Sequence, residues 1–289
     1  MSNNFALILN YNDSYNSLRL GEKLEKMNFF DKIIIIDNNS SELEKKIINS
    51  NINKNILIIE THRNLMYAGG TNFGLNYIKS NYNAKNICII NSDVLIEKDV
   101  IHNCIDLLQS NEEIACCTAV MLDYQKKIDP IGFWNEYKYF DLINSCFFLG
   151  RQKLKKRKQE FIQTGNLIYC DCVRGSFQMF KAEDIYNIGC YDTNVKLYYE
   201  EDIIGKKLKR NKKKIAVLAN FTYVHNHKQN RAYFTDKYKI CMNDMYYFYK
   251  NICRGNFFGK IFMKVCIWLG TFEHFFIDIF WKIKKKESE

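Results

Sequence analysis

The sequence predicts an α/β fold in which a mixed, mostly parallel sheet is flanked by helices. Short apolar runs alternate four times with segments of helical spacing in the first 91 residues. This alternation is typical of parallel strands joined by right-handed crossovers. Hydrophobic residues make up 47% of the 289-residue chain and proline occurs once, which argues against disorder. An aromatic-rich stretch after residue 230 predicts a C-terminal helical extension.

The first four predicted strands are short apolar runs separated by helical segments. The strands run from Phe5 to Asn10, from Ile33 to Ile36, from Ile56 to Ile59 and from Ile87 to Ile90. Helices are expected over about residues 15–28, through Ile47 and Ile48, and from about Gly70. The fourth run is continuously apolar, which suits a central strand covered on both faces.

Polar residues follow each of these four strands. They are Tyr11-Asn12, Asp37-Asn38, Asn64 and Asn91-Ser92-Asp93. An aspartate after a strand is commonly a cap or turn residue when it is considered alone. In an open α/β sheet, however, ligands bind beyond the carboxyl ends of the strands. Four polar strand ends in succession therefore predict a nucleotide-type cleft.

Further strands and helices are expected in the second half of the chain. The strands are predicted at residues 114–122, 167–172, 177–180, 215–219 and 221–225, and the helices at residues 182–188 and 200–210. The basic run from Arg151 to Lys158 is expected to be an exposed, mobile loop. Two aromatic helices should follow residue 231, the second over Phe257 to Trp281.

The net charge of +10 indicates an anionic partner, which charge alone does not identify as nucleic acid, phospholipid or a phosphate-bearing substrate. The eleven cysteines are scattered and include no Cys-x-x-Cys, so they support neither a zinc ribbon nor a thioredoxin-like motif. The first residues lack the charged region of a signal peptide. We therefore expect a cytoplasmic protein with reduced thiols.

The predicted last helix is apolar but interrupted by charge at Lys264, Glu273 and Asp278. It therefore lacks the ~18 uncharged residues that a membrane-spanning helix needs. We expect an amphipathic helix on the inner face of the membrane, with residues 282–286 on anionic headgroups. Packing on the core or in a homodimer interface is the alternative.

Seven short motifs follow one another in a fixed order. They are Leu9-Asn10-Tyr11-Asn12, Ile36-Asp37-Asn38-Asn39-Ser40, the run from Arg63 to Asn72, Asn91-Ser92-Asp93, Gly175-Ser176, Tyr199-Glu200-Glu201-Asp202 and Val224-His225. Together they resemble the family-2 inverting glycosyltransferases of GT-A fold, and especially the rhamnosyltransferase-like branch that builds bacterial surface polysaccharides. The resemblance covers about residues 5–227. It implies a catalytic domain over residues 1–230 and a membrane- or partner-associating extension over residues 231–289.

The resemblance implies a nucleoside site at the first strand ends, where Tyr11 and Asp37 hold the nucleoside beside Asn12 and Asn64. The side chains of Tyr11 and Asp37 suit this role, since an aromatic ring can stack on a base and a carboxylate can accept a base N–H. The remaining residues predicted to contact the nucleotide-sugar donor are Gly70, Asn72, Asn91, Ser92 and Gly175. At Gly70 two interpretations stay open: phosphate contact at a helix start, and tight helix–strand packing.

The motif ending in Asp93 fills the position of the family's Asp-x-Asp metal motif, with Asn91 in place of the first aspartate. The resemblance implies that Asp93 and His225 bind Mg²⁺ or Mn²⁺, and that diphosphate oxygens and waters complete the site. His227 is a possible substitute for His225, since alternation along a strand puts both on one side.

The acidic run Glu200-Glu201-Asp202 matches the family's catalytic segment. An inverting transfer needs a carboxylate that takes the acceptor's hydroxyl proton. Glu201 is the favoured base, and Asp202 replaces it if the frame shifts by one residue. The usual last aspartate is missing here, because Ile203 occupies its position. Acidic residues also stabilise helix N-termini, but three in a row after two tyrosines exceed what capping needs. Asp192 matches a family position near the donor sugar and the acceptor.

These observations predict a metal-dependent inverting glycosyltransferase that uses a nucleoside-diphosphate sugar and a glycan or lipid-linked acceptor. The first alternative is a nucleic-acid-binding protein, motivated by basic clusters at residues 151–158 and 205–214, although we expect no nucleic-acid partner. The second is a non-catalytic scaffold of the same fold that binds nucleotide. The sequence leaves the donor sugar, its base (uridine or deoxythymidine) and the acceptor open.

Overall fold

The computed structural model describes residues 3–50, 53–156, 159–227 and 234–286. The twelve strands of this part of the chain are β1 (Asn4–Asn10), β2 (Lys32–Asp37), β3 (Ile56–Glu60), β4 (Asn86–Asn91), β5 (Val94–Leu95), β6 (Ile114–Leu122), β7 (Phe133–Trp134), β8 (Ile162–Thr164), β9 (Leu167–Cys170), β10 (Cys172–Val173), β11 (Phe177–Lys181) and β12 (Lys214–His225). Its ten α-helices are α1 (Ser14–Met27), α2 (Glu42–Ile48), α3 (Met66–Asn81), α4 (Lys98–Ser110), α5 (Tyr139–Ser145), α6 (Phe148–Lys156), α7 (Ala182–Asn187), α8 (Glu200–Arg210), α9 (Phe234–Tyr247) and α10 (Phe257–Lys286). A π-helical turn, Phe248–Ile252, follows α9.

One large sheet organises the molecule, in the order β3-β2-β1-β4-β11-β6-β12-β9-β8. The first four strands are parallel to one another, with β1 between β2 and β4. β11 is antiparallel to its neighbours β4 and β6, whereas β12 runs parallel to β6. The predicted mixed, mostly parallel sheet is therefore confirmed. The carboxyl ends of β1, β2, β3 and β4 lie at one edge.

Apolar residues cover both faces of this sheet, as the continuous apolar strands predict. One face packs Ala6, Ile8, Ile35 and Ile90 under α1 and α4, and the other packs Leu7, Ile34 and Ile89 under α3. Neighbouring residues of a strand point to opposite faces, so each strand contributes to both layers. Burial on both faces explains why these strands are apolar at nearly every position.

The helix expected from about Gly70 begins earlier, at Met66. Gly70 and Gly74 therefore lie inside α3, where an added Cβ would stand 2.6 Å from Leu9 Cδ1 and 2.3 Å from Leu7 Cδ1, respectively. The backbone of α3 approaches β1 closely because these two positions have no side chain. Both glycines pack tightly against β1, phosphate contact at Gly70 stays a prediction, and the predicted helix start is wrong.

Two other local predictions are corrected. Residues 151–156 belong to the helix α6, not to a loop, while residues 157–158 lie outside the described part of the chain. The two strands expected at residues 215–219 and 221–225 form a single strand, β12, with a register shift between Leu218 and Thr222. The shift lets one strand bend while it keeps β6 as its partner.

The C-terminal helices share a hydrophobic core with α5 and with residues just before and within α8. Tyr238, Met245, Phe248 and Met263 from the C-terminal segment pack against a group that includes Ile203. The predicted boundary near residue 230 stays a prediction. Among the described helices, none combines the length and hydropathy needed to cross a membrane.

α10 buries one side and exposes the opposite one. Met263, Cys266 and His274 are almost fully buried. The exposed side carries large apolar residues at helical spacing, among them Phe258, Phe262, Trp268, Phe272, Phe276 and Phe280. Phe258 is 80% exposed and Trp268 is 61% exposed, so this side has no covering within the described chain. The predicted amphipathic pattern is present, and the exposed apolar face of α10 points away from the rest of the described chain.

Candidate active site

The backbone pairing of β5 with β12 brings Asp93 next to two histidines. His225 pairs with Val94, and the N–H of Asn226 donates to the Asp93 carbonyl at 3.0 Å. His225 Nε2 lies 3.3 Å from Asp93 Oδ1, and His227 Nδ1 lies 3.3 Å from Asp93 Oδ2. The imidazoles are stacked, with centroids 5.7 Å apart. The structure thus places Asp93 beside both the predicted ligand His225 and its possible substitute His227.

The electrostatics of this cluster favour an ionised carboxylate at Asp93. Burial raises its pKa, but the neighbouring imidazoles of His225 and then His227 outweigh burial, so the pKa lies below its ordinary value. Asp93 Oδ1 is buried and accepts no hydrogen bond from the residues that the structure describes. His225 Nε2 lies 3.3 Å from this oxygen, and a cation would be a further partner for it.

Asp93, His225 and His227 are the candidate ligands of the predicted divalent metal. Within the described ranges, no group of three or more His, Cys, Asp or Glu side chains is placed so that it could hold a metal ion. One orphaned carboxylate oxygen and one or two imidazole nitrogens would leave most of an octahedral coordination shell to other ligands. This donor set suits a metal that shares its shell with substrate oxygens.

Asn91 and Ser92, the two residues before Asp93, are hydrogen-bonded to neighbouring segments of the fold. The Asn91 N–H donates to the Ser176 carbonyl at 2.9 Å, which joins the end of β4 to the start of β11. The Ser92 hydroxyl donates to Asp13 Oδ2 at 2.6 Å. Asp13 directly precedes α1. This hydrogen bond therefore ties the loop that carries Asp93 to the start of α1. Ser92 is bound to protein here, and its donor contact stays a prediction.

The predicted nucleoside residues lie together beyond β1 and β2 but differ in exposure. Tyr11 is 53% exposed, so its ring is available for stacking. Asn12 has φ of +56°, and its side chain accepts the Ser41 N–H at 2.8 Å. Asp37 is fully buried, and its Oδ1 accepts hydrogen bonds from Asn10 Nδ2, at 2.8 Å, and from the Ser40 hydroxyl. Asp37 thus joins the end of β1 to the loop after β2, and direct base contact stays a prediction.

Asn64 and Asn72 make structural contacts. Asn64 Oδ1 accepts from Asn38 Nδ2 at 3.2 Å and from the Met66 N–H at 2.8 Å, which fixes the entry into α3. Asn72 both donates to the Tyr191 carbonyl, at 2.8 Å, and accepts its N–H, at 3.0 Å. Both polar atoms of the Asn72 side-chain amide thus bind the backbone of Tyr191. The predicted contact of Asn72 with the nucleotide-sugar donor is not tested.

Glu201 is anchored by the backbone of Gly175. The Gly175 N–H donates to Glu201 Oε1 at 3.0 Å, and the Gly175 carbonyl accepts from the Tyr67 hydroxyl at 2.7 Å. A Cβ at Gly175 would stand 2.9 Å from the Tyr67 hydroxyl and 3.2 Å from Glu201 Oε1. A larger residue at position 175 would therefore crowd both side chains. Glu201 Oε2 has no hydrogen-bond partner among the described residues.

The carboxylates on either side of Glu201 are buried. Burial, followed by the charge of Glu201, raises the pKa of Glu200 to about 8. Asp202 accepts the Trp134 indole N–H at 3.0 Å, and burial raises its pKa to about 7 despite this bond. Trp134 and Cys172 enclose Asp202. Of the three acidic residues, only Glu201 is partly exposed.

Asp192 lies on a turn that is tied to α9. Its Oδ1 accepts from the Asn194 N–H at 3.0 Å, and its Oδ2 accepts from the Tyr247 hydroxyl at 3.0 Å. Both oxygens are thus engaged within the protein. This arrangement orients Asp192, whose predicted place near the sugar and acceptor is not tested.

Comparison with known families identifies the chain. The sequence model of the family described as Glycosyl transferase family 2 matches residues 10–182, more than half of the 289-residue chain. The chain belongs to glycosyl transferase family 2. No curated protein matches this family-2 glycosyltransferase in sequence.

Solved structures show the same fold. A Pyrobaculum calidifontis mannosyltransferase in complex with GDP-Man and Mn²⁺ has a TM-score of 0.58 at 11% identity, covering 88% of this chain and 65% of its own. GalNAc-T7 with UDP, GalNAc and Mn²⁺ has a TM-score of 0.59 at 12% identity, covering 85% and 47%. S. aureus TarS residues 1–349 has a TM-score of 0.53 at 12% identity, covering 86% and 72%. This family-2 glycosyltransferase therefore spans less than two thirds of the first two proteins.

Sequence reasoning missed several residues that shape the site of this family-2 glycosyltransferase. Tyr67 lies within the motif from Arg63 to Asn72, but nothing in the sequence showed that its hydroxyl would reach Gly175, 108 positions later. Asp13 directly follows the polar residues Tyr11-Asn12, but nothing in the sequence showed that it would bind the Ser92 hydroxyl. Asp244 and Tyr247 lie in the C-terminal extension, and only the folded chain shows their contacts with residues 192–198.

Proposed function

We propose that the protein is a metal-dependent inverting glycosyltransferase that transfers a sugar from a UDP- or dTDP-linked donor. Its acceptor is a lipid-linked or surface-polysaccharide glycan, as in the rhamnosyltransferase-like branch. The observation that carries this proposal is the pair of separate acidic centres: Asp93 beside two histidines, and Glu201 with one oxygen held and one available. One centre suits a metal-bound diphosphate and the other suits proton transfer.

The donor end of the site is formed by the strand ends. Tyr11 offers an exposed ring for the base, and Asp93 with His225 would hold Mg²⁺ or Mn²⁺. When bound, the divalent ion would neutralise charge on the departing diphosphate. Two of the similar structures, those of the mannosyltransferase and GalNAc-T7, contain Mn²⁺, which supports this choice of metal.

Glu201 would act as the general base. In an inverting transfer, the acceptor oxygen forms a bond to the anomeric carbon as the bond from that carbon to the diphosphate oxygen breaks on the opposite side. The acceptor's hydroxyl proton passes to Glu201 Oε2, while Oε1 stays with the Gly175 N–H. Such a base contributes typically ~10²–10⁴-fold to the rate. Asp202 is a poorer choice because Trp134 and burial enclose it.

A panel of nucleotide sugars tests this function directly. Donor hydrolysis and transfer should require Mg²⁺ or Mn²⁺, stop with EDTA, and be lost in Asp93→Asn. Asp99→Asn, an exposed carboxylate on α4, is the matched control and should leave turnover unchanged. If Asp93→Asn transfers sugar at the original rate with or without EDTA, the metal role is wrong. Nucleotide-dependent thermal stabilisation without turnover of any donor would instead support the non-catalytic scaffold.

We further propose that α10 lies on an anionic membrane surface, with the protein peripheral to the inner face of the membrane. Its outward apolar side includes Phe258, Trp268 and Phe276, each more than 60% exposed. The helix also carries Lys260 and Lys264, and residues 282–286 contribute four more lysines. An exposed apolar stripe with adjacent lysines matches the chemistry of anionic lipid interfaces.

Vesicle binding tests this contact. Co-sedimentation should be strong with phosphatidylcholine vesicles that contain phosphatidylglycerol and weaker without it. The double variant Trp268→Ser/Phe276→Ser should lower vesicle affinity by about tenfold or more, because two large apolar side chains are removed. Ile128→Ser changes a 70%-exposed apolar residue outside α10 and should have no effect. A homodimer in light scattering that Trp268→Ser/Phe276→Ser abolishes, without any vesicle binding, would assign the face to a second copy.

A further inference from the structure

Three neighbouring side chains at the end of α9 contact the segment that leads into the acidic run. Asp244, Tyr247 and Phe248 are spaced by three and four residues and therefore lie on one side of the helix. Their partners all fall between residues 192 and 199. This segment is the link between the turn at Asp192 and the first residue of α8.

The strongest contact is a carboxylate that accepts three consecutive backbone N–H groups. Asp244 Oδ2 lies 3.1 Å from the N–H of Lys196, 3.1 Å from that of Leu197 and 3.2 Å from that of Tyr198. Asp244 is only 3% exposed. Successive N–H groups that converge in this way form a concave anion site, which here is filled by the protein's own side chain.

Two further contacts hold the ends of the segment. The Tyr247 hydroxyl donates to Asp192 Oδ2 at 3.0 Å, and the Phe248 ring stacks on Tyr199 with centroids 5.4 Å apart. Tyr199 has φ of +68°, a left-handed conformation that a non-glycine residue adopts at a cost. The contacts from α9 therefore hold a strained residue immediately before Glu200 and Glu201.

We propose that Asp244 and Tyr247 are positioning residues, which set the placement of Glu201 by holding residues 192–199. Neither reaches the reacting atoms: Asp244 acts through the backbone of residues 196–198, and Tyr247 acts through Asp192. The catalytic consequence rests on the proposed function, whereas the structural consequence does not. The C-terminal extension is thus a working part of the transfer site.

Hydrogen exchange measures the structural part of this proposal. Lys196 and Leu197 are exposed at the surface, so their amides depend on Asp244 for protection. Asp244→Ala should speed exchange in peptides that cover residues 194–203 and leave the strands of the large sheet protected. Asp244→Asn keeps one acceptor oxygen of the same shape and should recover part of the protection. Asp236→Asn, an exposed carboxylate in the first turn of α9, is the control.

Steady-state kinetics measure the catalytic part. Asp244→Ala should lower kcat by about 10- to 100-fold, the scale of one or two lost charge-assisted hydrogen bonds, with the donor KM changed little. Asp244→Asn should fall between Asp244→Ala and the unmodified protein. Tyr247→Phe should lower kcat less, since the Asn194 contacts to Asp192 remain. Asp236→Asn should match the unmodified protein.

Two results would overturn the proposal: unchanged exchange in residues 194–203 of Asp244→Ala, or faster exchange with kcat unchanged. If Asp244→Ala does not fold, Asp244→Asn and Tyr247→Phe decide in its place by the same two measurements. A failure of the proposed function looks different, because the unmodified protein would then turn over no nucleotide-sugar donor. The exchange result would still report whether Asp244 holds the segment.

Discussion

The Gly175 N–H and Glu201 Oε1 lie 3.0 Å apart, so a main-chain donor fixes one oxygen of the proposed base. The same glycine receives the Tyr67 hydroxyl on its carbonyl at 2.7 Å. A carboxylate held at one oxygen keeps its plane while the other oxygen accepts a proton. Glu201 is therefore oriented by β11's entry loop as well as by its own helix.

Glu201→Gln should abolish most of the transfer activity while it preserves the fold. The amide oxygen can still accept the Gly175 N–H, but the side chain can no longer take a proton. We expect kcat to fall by ~10²–10⁴-fold with little change in donor affinity, as measured by transfer kinetics and nucleotide titration. Asp202→Asn is the comparison variant. A larger kcat loss in Asp202→Asn than in Glu201→Gln would move the base to Asp202.

His225→Ala should weaken metal-dependent nucleotide binding more than His227→Ala does. The His225 side chain is 18% exposed and the His227 side chain is 59% exposed, so His225 is the more preorganised ligand candidate. We expect affinity for UDP or dTDP in the presence of Mn²⁺ to fall by about 10- to 100-fold in His225→Ala and by only a few-fold in His227→Ala. Titration calorimetry with and without Mn²⁺ measures this. The reverse order would make His227 the ligand.

Thermal stability should decrease as the pH rises from about 5 to 9. The pKa of Glu200 is raised to about 8 by burial and then by Glu201, and that of Asp202 is raised to about 7 mainly by burial. The folded protein therefore retains protons that the unfolded chain releases. This stability is fully present below about pH 4 and is lost as the pH rises through 7 and 8.

Glu200→Gln should flatten this pH dependence, because the glutamine has no proton to release. The measurement is Tm across the pH range, with Glu22→Gln, an exposed residue of α1, as the control. An unchanged slope in Glu200→Gln would show that the folded protein tolerates ionised Glu200.

Gly74→Ala should destabilise the protein by about 1–3 kcal/mol, the usual cost of overpacking. The new methyl group would lie 2.3 Å from Leu7 Cδ1 and 3.0 Å from Ile36 Cγ1, which forces α3 away from the sheet. The gain in helix propensity, about 1 kcal/mol, does not compensate. Chemical denaturation measures the difference. Asn76→Ala, on the exposed side of α3, should be neutral, and an equally neutral Gly74→Ala would show that the sheet accommodates the methyl group.

The sequence anticipated the parts of the fold that repeat a simple pattern. Four continuous apolar strands are recognisable because burial on both faces requires apolar residues at every position. His225, the candidate metal ligand, could be singled out because β12 ends in Val224-His225 and the family resemblance implies its role. Local periodicity could not show that β12 is one bent strand, since the register shift depends on its partner β6.

Charge and glycine patterns misled where tertiary packing decides. The basic run at residues 151–156 contains good helix formers, and in the folded chain it forms most of α6. Gly70 suggested a helix start, yet it lies inside α3, where its missing side chain lets the helix approach Leu9. The links from Tyr67 to Gly175 and from Asp244 to residues 196–198 join positions far apart in sequence. No single-sequence pattern encodes such contacts.

The reliance of Glu201 on a main-chain N–H affects how the site can evolve. A side-chain donor can be removed by many substitutions, but only proline or a change in the path of the chain removes a backbone donor. At Gly175 even alanine crowds Tyr67, so drift at this position is narrowly restricted. The orientation of Glu201 is therefore inherited with the backbone. Loops that select different sugars could diverge around it without losing it.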